Sequence, residues 1–154
     1  MLKLRPHHFM DVIKLYGRGI DVFVPDAAYH HDFYKVANTL IGHREAPVTI
    51  TLGADDICTP CRFLGNEGAC RDGLGHIPGF ASKQAWNDEI DRRICAFSGV
   101  DAGATLTAAT YCQILYSIHT KIAAIWHEEP SATTQERHRF FCLGAEKYLS
   151  PARD

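Results

Sequence analysis

Three of the six cysteines in this chain of 154 residues stand within thirteen residues of one another, and their side chains are the ones best suited to chemistry. Cys58 and Cys61 form a Cys-x-x-Cys pair, and Cys70 follows them. This pair spacing allows two thiolates to bind one metal ion, or one edge of an iron–sulfur cluster, without backbone strain. The three cysteines are therefore predicted to be ligands of a metal or a cluster.

The segment around these cysteines is predicted to be a long irregular connection. From Gly53 to Phe80 it is rich in glycine and shows no helical or strand periodicity. Structureless segments longer than roughly 12–15 residues are uncommon in compact domains unless they are functional or disordered. Too few apolar residues are present to order this segment by burial, whereas bonds between thiolates and a metal contribute directly to the free energy of folding.

Two other interpretations of the cysteines remain open. Cys58 and Cys61 could be a redox dithiol, but the thioredoxin-type motif needs a strand before it and a helix after it, and Pro60 is followed only by a short stretch limited by glycine. The three cysteines could also be inert buried side chains or disulfide partners. We favour the metal-binding interpretation.

The composition is that of an ordinary globular chain that folds as one domain, with 46% hydrophobic and 22% charged residues. The net charge of −2 provides no general attraction to nucleic acid. We expect no signal peptide, because the start lacks an apolar run, and no membrane span, because no stretch approaches ~20 apolar residues. A cytoplasmic protein is therefore expected, and reduced thiols in that compartment favour metal binding over disulfides.

Two neighbouring histidines near the start form a second group of candidate site residues. Pro6 suits the first turn of a helix that ends near Gly17, and this places His7 and His8 in that turn. Asp11 follows His7 by four residues and His8 by three, so we expect its carboxylate to orient one of the two imidazoles. A solvated helix start explains the same residues equally well.

A third group lies on the last predicted helix. His138, Cys142 and Glu146 are spaced by four residues and share one face. Cys142 is a candidate fourth thiolate ligand, with His138 beside it as a proton donor. Gly144 costs roughly 1 kcal/mol relative to Ala within a helix. We expect it to mark the close approach of another backbone, which would suit docking of the cysteine segment.

The remaining pattern predicts a mainly α fold, a single domain over residues 1–154 with five to six helices, a short β element and the long cysteine-bearing loop. Alternation over residues 47–52 predicts one strand, which we expect to pair with residues 22–24. Caps, glycines and prolines bound the later helices. The predicted starts and ends are an Asp26 cap for the second helix, Ser82 to Gly99 for the third, Thr107 to Pro130 for the longest and a capping box at Thr133–Glu136 for the last.

Other cysteines and histidines are predicted to lie outside any site. Cys95 and Cys112 adjoin apolar helix faces and are expected to be buried thiols. Four histidines are also predicted to lie outside any site, either at the solvated surface or in the core with their hydrogen bonds satisfied. They are His30, His31, His119 and His127.

Three short motifs carry a resemblance to a known family: Arg5-Pro-His-His8 at the start, Asp55-Asp-Ile-Cys-x-x-Cys61 with Cys70 in the middle, and Phe141-Cys-Leu-Gly144 near the end. On these motifs the chain resembles an uncharacterised family of small cysteine-rich prokaryotic domains that look like iron–sulfur proteins. The resemblance spans most of the chain. It implies a cluster cofactor and a set of site residues. The implied ligands are Cys58, Cys61, Cys70 and Cys142, with His7 and His8 as further site residues and Cys95 and Cys112 outside the site.

The chain departs from the family pattern at two places. Asp11 stands where many relatives have a cysteine, and Cys142 stands alone where they have a second Cys-x-x-Cys. The resemblance therefore implies either that a carboxylate oxygen of Asp11 replaces one thiolate ligand or that Asp11 orients another ligand.

The predicted function is that of an iron–sulfur protein. A 4Fe–4S cluster held by Cys58, Cys61, Cys70 and Cys142 would serve electron transfer to a redox partner or a reaction of a small-molecule substrate, because such clusters accept one close cysteine pair plus distant thiolates. A variant uses three cysteines and leaves one iron open. In that variant the acid–base or substrate-orienting residues are His7, His8, Asp11 and His138.

Two alternatives from other classes remain. The first is a zinc-stabilised helical module that binds a protein partner. The second is a cysteine-based enzyme, with Cys142 or Cys61 as the nucleophile and His138 or His7 as its base. The sequence leaves open the choice between iron–sulfur and zinc, the identity of any partner, and the oligomeric state, a homodimer included.

Overall fold

Six α-helices and a three-stranded sheet make up the part of the chain that this computed structural model describes, which is residues 2–25, 32–53, 55–57 and 82–150. The predicted mainly α fold with a short β element is confirmed. Within these ranges no helix has the length and apolarity that crossing a membrane requires. The elements in chain order are β1 (Leu2–Leu4), α1 (Pro6–Gly17), α2 (Phe33–Gly42), β2 (Pro47–Ile50), α3 (Lys83–Ser98), β3 (Thr105–Thr107), α4 (Ala108–Ser117), a 3-10 helix (His119–Lys121), α5 (Ile122–Ile125) and α6 (Ser131–Leu149).

The central strand of the sheet is β2, which is the strand predicted from alternation. It pairs in parallel with β1 and antiparallel with β3, so that Val48 lies opposite Leu2 on one side and Leu106 on the other. The expected pairing with residues 22–24 is wrong, because these residues form no strand. Both true partners are only three residues long, too short for alternation to reveal them.

The predicted longest helix is divided into three pieces. Thr107 caps α4 as expected, because its hydroxyl accepts a hydrogen bond from the backbone N–H of Thr110 at 3.1 Å. The chain leaves the helical path at Ile118, turns through the 3-10 helix and resumes as α5. Apolar periodicity continues across this break, so the sequence pattern did not show it. The longest helix among the described residues is therefore α6.

The caps of α3 are those predicted, whereas α6 begins earlier than expected. The Ser82 hydroxyl accepts a hydrogen bond from the N–H of Ala85 at 3.1 Å, and Gly99 ends the helix with φ of +74°. The expected capping box at Thr133 is wrong, because the N–H of Thr133 already binds the carbonyl oxygen of Pro130 at 2.9 Å. The expected cap at Asp26 lies outside the described residues.

The core is one continuous cluster of buried apolar side chains from β1, β2 and all six helices. Cys112 is fully buried within it, and Cys95 is 7% exposed. Burial raises the pKa of Cys112 to about 12, and burial with the nearby charges of Asp91 and Asp101 raises the pKa of Cys95 to about 11. Both cysteines are thus confirmed as buried thiols of the core.

Helices α1 and α6 cross at two glycines. A Cβ atom built on Gly144 would overlap the carbonyl oxygen of Ile13, and a Cβ atom built on Gly17 would overlap the carbonyl oxygen of Phe140. The expected close backbone approach at Gly144 is confirmed, and the approaching backbone belongs to α1. The expected docking of the cysteine segment there lies outside the described residues.

Replacing Gly144 by Ala should destabilise the protein by at least about 2 kcal/mol, because the added methyl group forces two backbones apart. Gly42→Ala is the matched control, since a Cβ atom at this helix position has no neighbour within 4 Å. Urea denaturation of both variants measures the difference. Equal stability of Gly144→Ala and the native protein would contradict the glycine crossing.

Candidate metal centre at the start of helix α1

Arg5 is a buried cation at the junction of β1 and α1. Its side chain is 2% exposed, and its Nε donates to Oδ2 of Asp91 at 2.7 Å while Nη2 donates to Oδ1 of Asp88 at 2.6 Å. A desolvated guanidinium needs such partners, because an unpaired buried charge is strongly unfavourable. Both carboxylates belong to α3, so the ion pairs hold the start of α1 against that helix.

Asp91 also orients the imidazole of His7. Its fully buried carboxylate accepts a hydrogen bond from the His7 backbone N–H, and the same oxygen lies 2.8 Å from Nδ1 of the ring. Burial raises the pKa of Asp91, but attraction and hydrogen bonds from His7 and Arg5 outweigh burial and lower that pKa below its ordinary value of 3.8. Asp91 therefore remains a carboxylate and favours a proton on Nδ1 of His7.

Asp55 performs the same role for His8. Oδ2 of this fully buried carboxylate lies 2.7 Å from Nδ1 of His8 and accepts a hydrogen bond from the backbone N–H of Arg5 at 2.8 Å. Its Oδ1 accepts the backbone N–H of Ile57 at 3.1 Å. Asp55 and Asp91 thus bind N–H groups at the start of α1 that have no partner within the helix, and their negative charge suits this end of the helix dipole.

In both imidazoles, therefore, Nε2 is the ring nitrogen that faces away from the bound carboxylate. With Nδ1–H donated to a carboxylate, a neutral imidazole carries its lone pair on Nε2. The His7 and His8 rings lie 4.3 Å apart between centroids, and their side chains are 12% and 17% exposed. Among the described residues neither Nε2 has a hydrogen-bond partner. The arrangement offers two oriented lone pairs in one sheltered place, which suits metal binding or proton transfer.

Asp11 does not orient either histidine, so that prediction is wrong. Its Oδ1 lies 3.2 Å from a guanidinium nitrogen of Arg137 and 3.5 Å from Nζ of Lys14. Burial raises its pKa, but nearby positive charges, those of Lys14 and Arg137 above all, outweigh burial and lower it. The carboxylates that bind the two imidazoles, those of Asp55 and Asp91, come from distant parts of the sequence. Asp11 pairs with Lys14 and Arg137 instead.

The predicted thiolate ligands fall into two groups. Cys58, Cys61 and Cys70 lie outside the described residues, but the chain enters their segment from Ile57, two residues after the Asp55 that binds His8. Helix α3, which follows the segment, carries the Asp91 that binds His7. Cys142 has its described contact elsewhere, with His138 on the same helix.

Cys142, His138 and His119 form a second cluster. Nε2 of His138 lies 3.6 Å from the Cys142 sulfur, as the predicted proximity requires, and 2.9 Å from Nδ1 of His119. The sequence predicts a surface or satisfied position outside any site for His119. Its ring reaches this cluster because the chain turns at the 3-10 helix. Burial and the charge of Glu146 raise the pKa of Cys142. His127, with a side chain 61% exposed, is confirmed at the surface.

Sequence reasoning did not assign Arg5, Asp55 or Asp91 to the site. Arg5 and Asp55 stand within the motifs that carry the family resemblance, so those motifs could have identified them as site residues. Nothing in the sequence distinguishes Asp91 from the other acidic residues of α3, because its role depends on a contact with a residue 86 positions away.

Replacing Asp91 by Asn should lower the free energy of unfolding by about 3–5 kcal/mol, because the change removes the fully buried carboxylate charge that pairs with buried Arg5. Asp88→Asn is the matched control. Its carboxylate binds the same guanidinium but is 41% exposed, so we expect a loss below about 1 kcal/mol. Urea denaturation at neutral pH measures both. Similar losses in the two variants would contradict the assigned role of Asp91.

The contribution of Asp91 should also depend on pH. Its pKa is lowered in the folded protein, so the stabilisation is fully present above the ordinary value of 3.8 and is lost as the pH falls below it. The stability difference between the native protein and Asp91→Asn should shrink in acid. A difference that grows in acid would show that Asp91 is protonated in the folded state.

Comparisons with models of known protein families, with curated proteins and with solved structures found no match to this chain. The resemblance to a cysteine-rich family therefore stays a prediction. An account of function has to come from the residues of this chain, and above all from the histidine pair at the start of α1.

Proposed function

We propose that the chain is an iron–sulfur redox protein. In this proposal Cys58, Cys61 and Cys70 hold a 4Fe–4S cluster, one imidazole of the His7–His8 pair supplies the fourth ligand, and the other lies beside it as a proton acceptor. The observation that carries the proposal is the orientation of both imidazoles by fully buried carboxylates. One of these carboxylates, Asp55, stands three residues before the first cysteine of the segment.

The donor set fits such a cofactor. Histidines that bind metals almost always donate their other ring N–H to a carboxylate or carbonyl, which fixes the tautomer and raises the basicity of the ligand atom. His7 and His8 both have this arrangement. The cysteine segment offers three thiolates, one fewer than a 4Fe–4S cluster requires, and imidazole is an accepted replacement in some iron–sulfur centres.

The local contacts favour a histidine over Cys142 as the fourth ligand. The described contact of the Cys142 sulfur is with His138, which in turn lies against His119. By contrast, His8 shares Asp55 with the residues that lead directly into the cysteine segment. We therefore propose three cysteine ligands and one histidine ligand, in place of the fourth cysteine or the open iron that the sequence analysis considers.

The His7–His8 pair would couple electron transfer at the cluster to the transfer of a proton. A bound cluster would supply the one-electron chemistry, and an imidazole ligand in place of a thiolate raises its reduction potential. The second imidazole can accept a proton at Nε2, and the carboxylate at its Nδ1 stabilises the resulting positive charge. Arg5 supports this role because its charge helps to keep Asp91 ionised. The partner would be a redox protein or a small-molecule substrate.

Anaerobic purification followed by iron, sulfide and zinc analysis tests the cofactor. We expect about four irons and four sulfides per chain. Cys70→Ala should lose both, whereas Cys112→Ala, which changes a core thiol, should retain them. Retention of iron by Cys70→Ala would contradict the proposal. A colourless protein whose zinc is lost in Cys70→Ala would instead support the zinc-stabilised module that binds a protein partner.

The histidine ligand is tested separately with His7→Ala and His8→Ala. We expect one of these changes to lower the iron content and the other to reduce the pH dependence of the reduction potential. His43→Ala is the control, because this histidine is exposed at the end of α2. If both variants keep the iron and the native potential while Cys142→Ala loses the iron, the fourth ligand is Cys142 and not a histidine.

A further inference from the structure

We propose that His119, His138 and Cys142 form a second metal site, which binds zinc and leaves one coordination position open. Their three ligand atoms all lie within 4.8 Å of one another. This site uses none of the proposed ligands of the iron–sulfur cluster.

Two of the three distances between the ligand atoms are close to those between ligands of one zinc ion. Zinc bonds of ~2.0–2.1 Å to nitrogen and ~2.3 Å to sulfur, at tetrahedral angles, place two nitrogens about 3.3 Å apart and a nitrogen and a sulfur about 3.6 Å apart. Nε2 of His138 lies 3.6 Å from the Cys142 sulfur and 2.9 Å from Nδ1 of His119. The His119 and His138 rings would have to move apart by only a few tenths of an ångström, and the ligand atoms of the third pair, His119 and Cys142, lie within 4.8 Å of each other.

The backbone holds the three side chains in this arrangement. His138 and Cys142 are four residues apart on α6, a spacing that places two ligands on one helix face. His119 comes from the 3-10 helix, and its ring stacks on Tyr116 with centroids 5.3 Å apart and planes inclined by 28°. Two rigid segments thus bring the ligands together, as a metal site requires.

A bound metal accounts for the arrangement of His119, His138 and Cys142 better than a nucleophilic cysteine does. A nucleophilic cysteine needs an adjacent base that accepts its proton. His138 could serve as a base only through Nε2, and that atom also faces Nδ1 of His119 at 2.9 Å. Three ligand atoms that converge in this way suit a cation, which displaces the thiol proton when it binds.

A cavity that can hold a small ligand adjoins the proposed site through His138. Three protein ligands are typical of zinc sites that keep water or substrate in the fourth position. All three side chains are partly exposed, and His138 also lines a half-open cavity of about 300 Å³. The other lining residues are Thr120, Ala123, Thr134 and Gln135.

Titration of the anaerobically purified full chain with Co²⁺, a coloured substitute for zinc, tests the site. We expect one equivalent to bind with a sulfur-to-cobalt charge-transfer band and the visible bands of a tetrahedral ion. Cys142→Ala should lose the charge-transfer band, and His119→Ala should weaken binding by at least about 100-fold, more than the roughly 10–100-fold that loss of an outer group costs. His127→Ala, an exposed histidine outside the cluster, should bind like the native protein.

The second site would be overturned if the native chain bound no cobalt, or if both Cys142→Ala and His119→Ala bound cobalt as the native chain does. Far-ultraviolet circular dichroism confirms that each variant is folded, and partly exposed His119 gives a variant that spares the core. Iron analysis of the same samples separates the two sites. If Cys142→Ala keeps its iron and loses cobalt binding, the second site is supported. If Cys142→Ala loses its iron, Cys142 is a ligand of the iron–sulfur cluster and the second site is overturned.

Discussion

The buried charge of Arg5 is the constraint on which the rest of the structure depends. A guanidinium that is 2% exposed must be paired, and its fully buried partner Asp91 joins α1 to α3. The same carboxylate binds the imidazole of His7, while the backbone N–H of Arg5 shares Asp55 with His8. The groups that stabilise the start of α1 are therefore also the groups that orient the candidate site, so the fold and the site depend on each other.

Helix α6 connects the two candidate sites in the fold. One of its faces packs on α1 through Gly144, and this contact leaves no room for a side chain between the two backbones. Another face presents His138 and Cys142 to the 3-10 helix that carries His119. A single rigid helix thus supports the element that begins with the histidine pair and also provides two ligands of the second cluster.

Local features could be predicted from the sequence, and contacts between distant residues could not. Pro6, Ser82 and Gly99 bound their helices because capping and proline effects act within a few residues. The partners of the predicted strand, the division of the helix after Thr107 and the carboxylates that orient the histidines depend on residues that come together only in the folded chain. For this reason the pattern suggested the nearby Asp11 as the histidine partner, whereas two distant aspartates occupy that position.

The central claim is that Asp91 and Asp55 orient His7 and His8 so that, among the residues that the structure describes, neither Nε2 has a hydrogen-bond partner. The most direct measurement is nuclear magnetic resonance of metal-free protein labelled with nitrogen-15 in histidine, at a pH at which the imidazoles are neutral. The account predicts that both rings carry their proton on Nδ1, and that His7 loses this preference in Asp91→Asn. Protons on Nε2 of both rings in the native protein would contradict it, because neither lone pair would then be available to a metal.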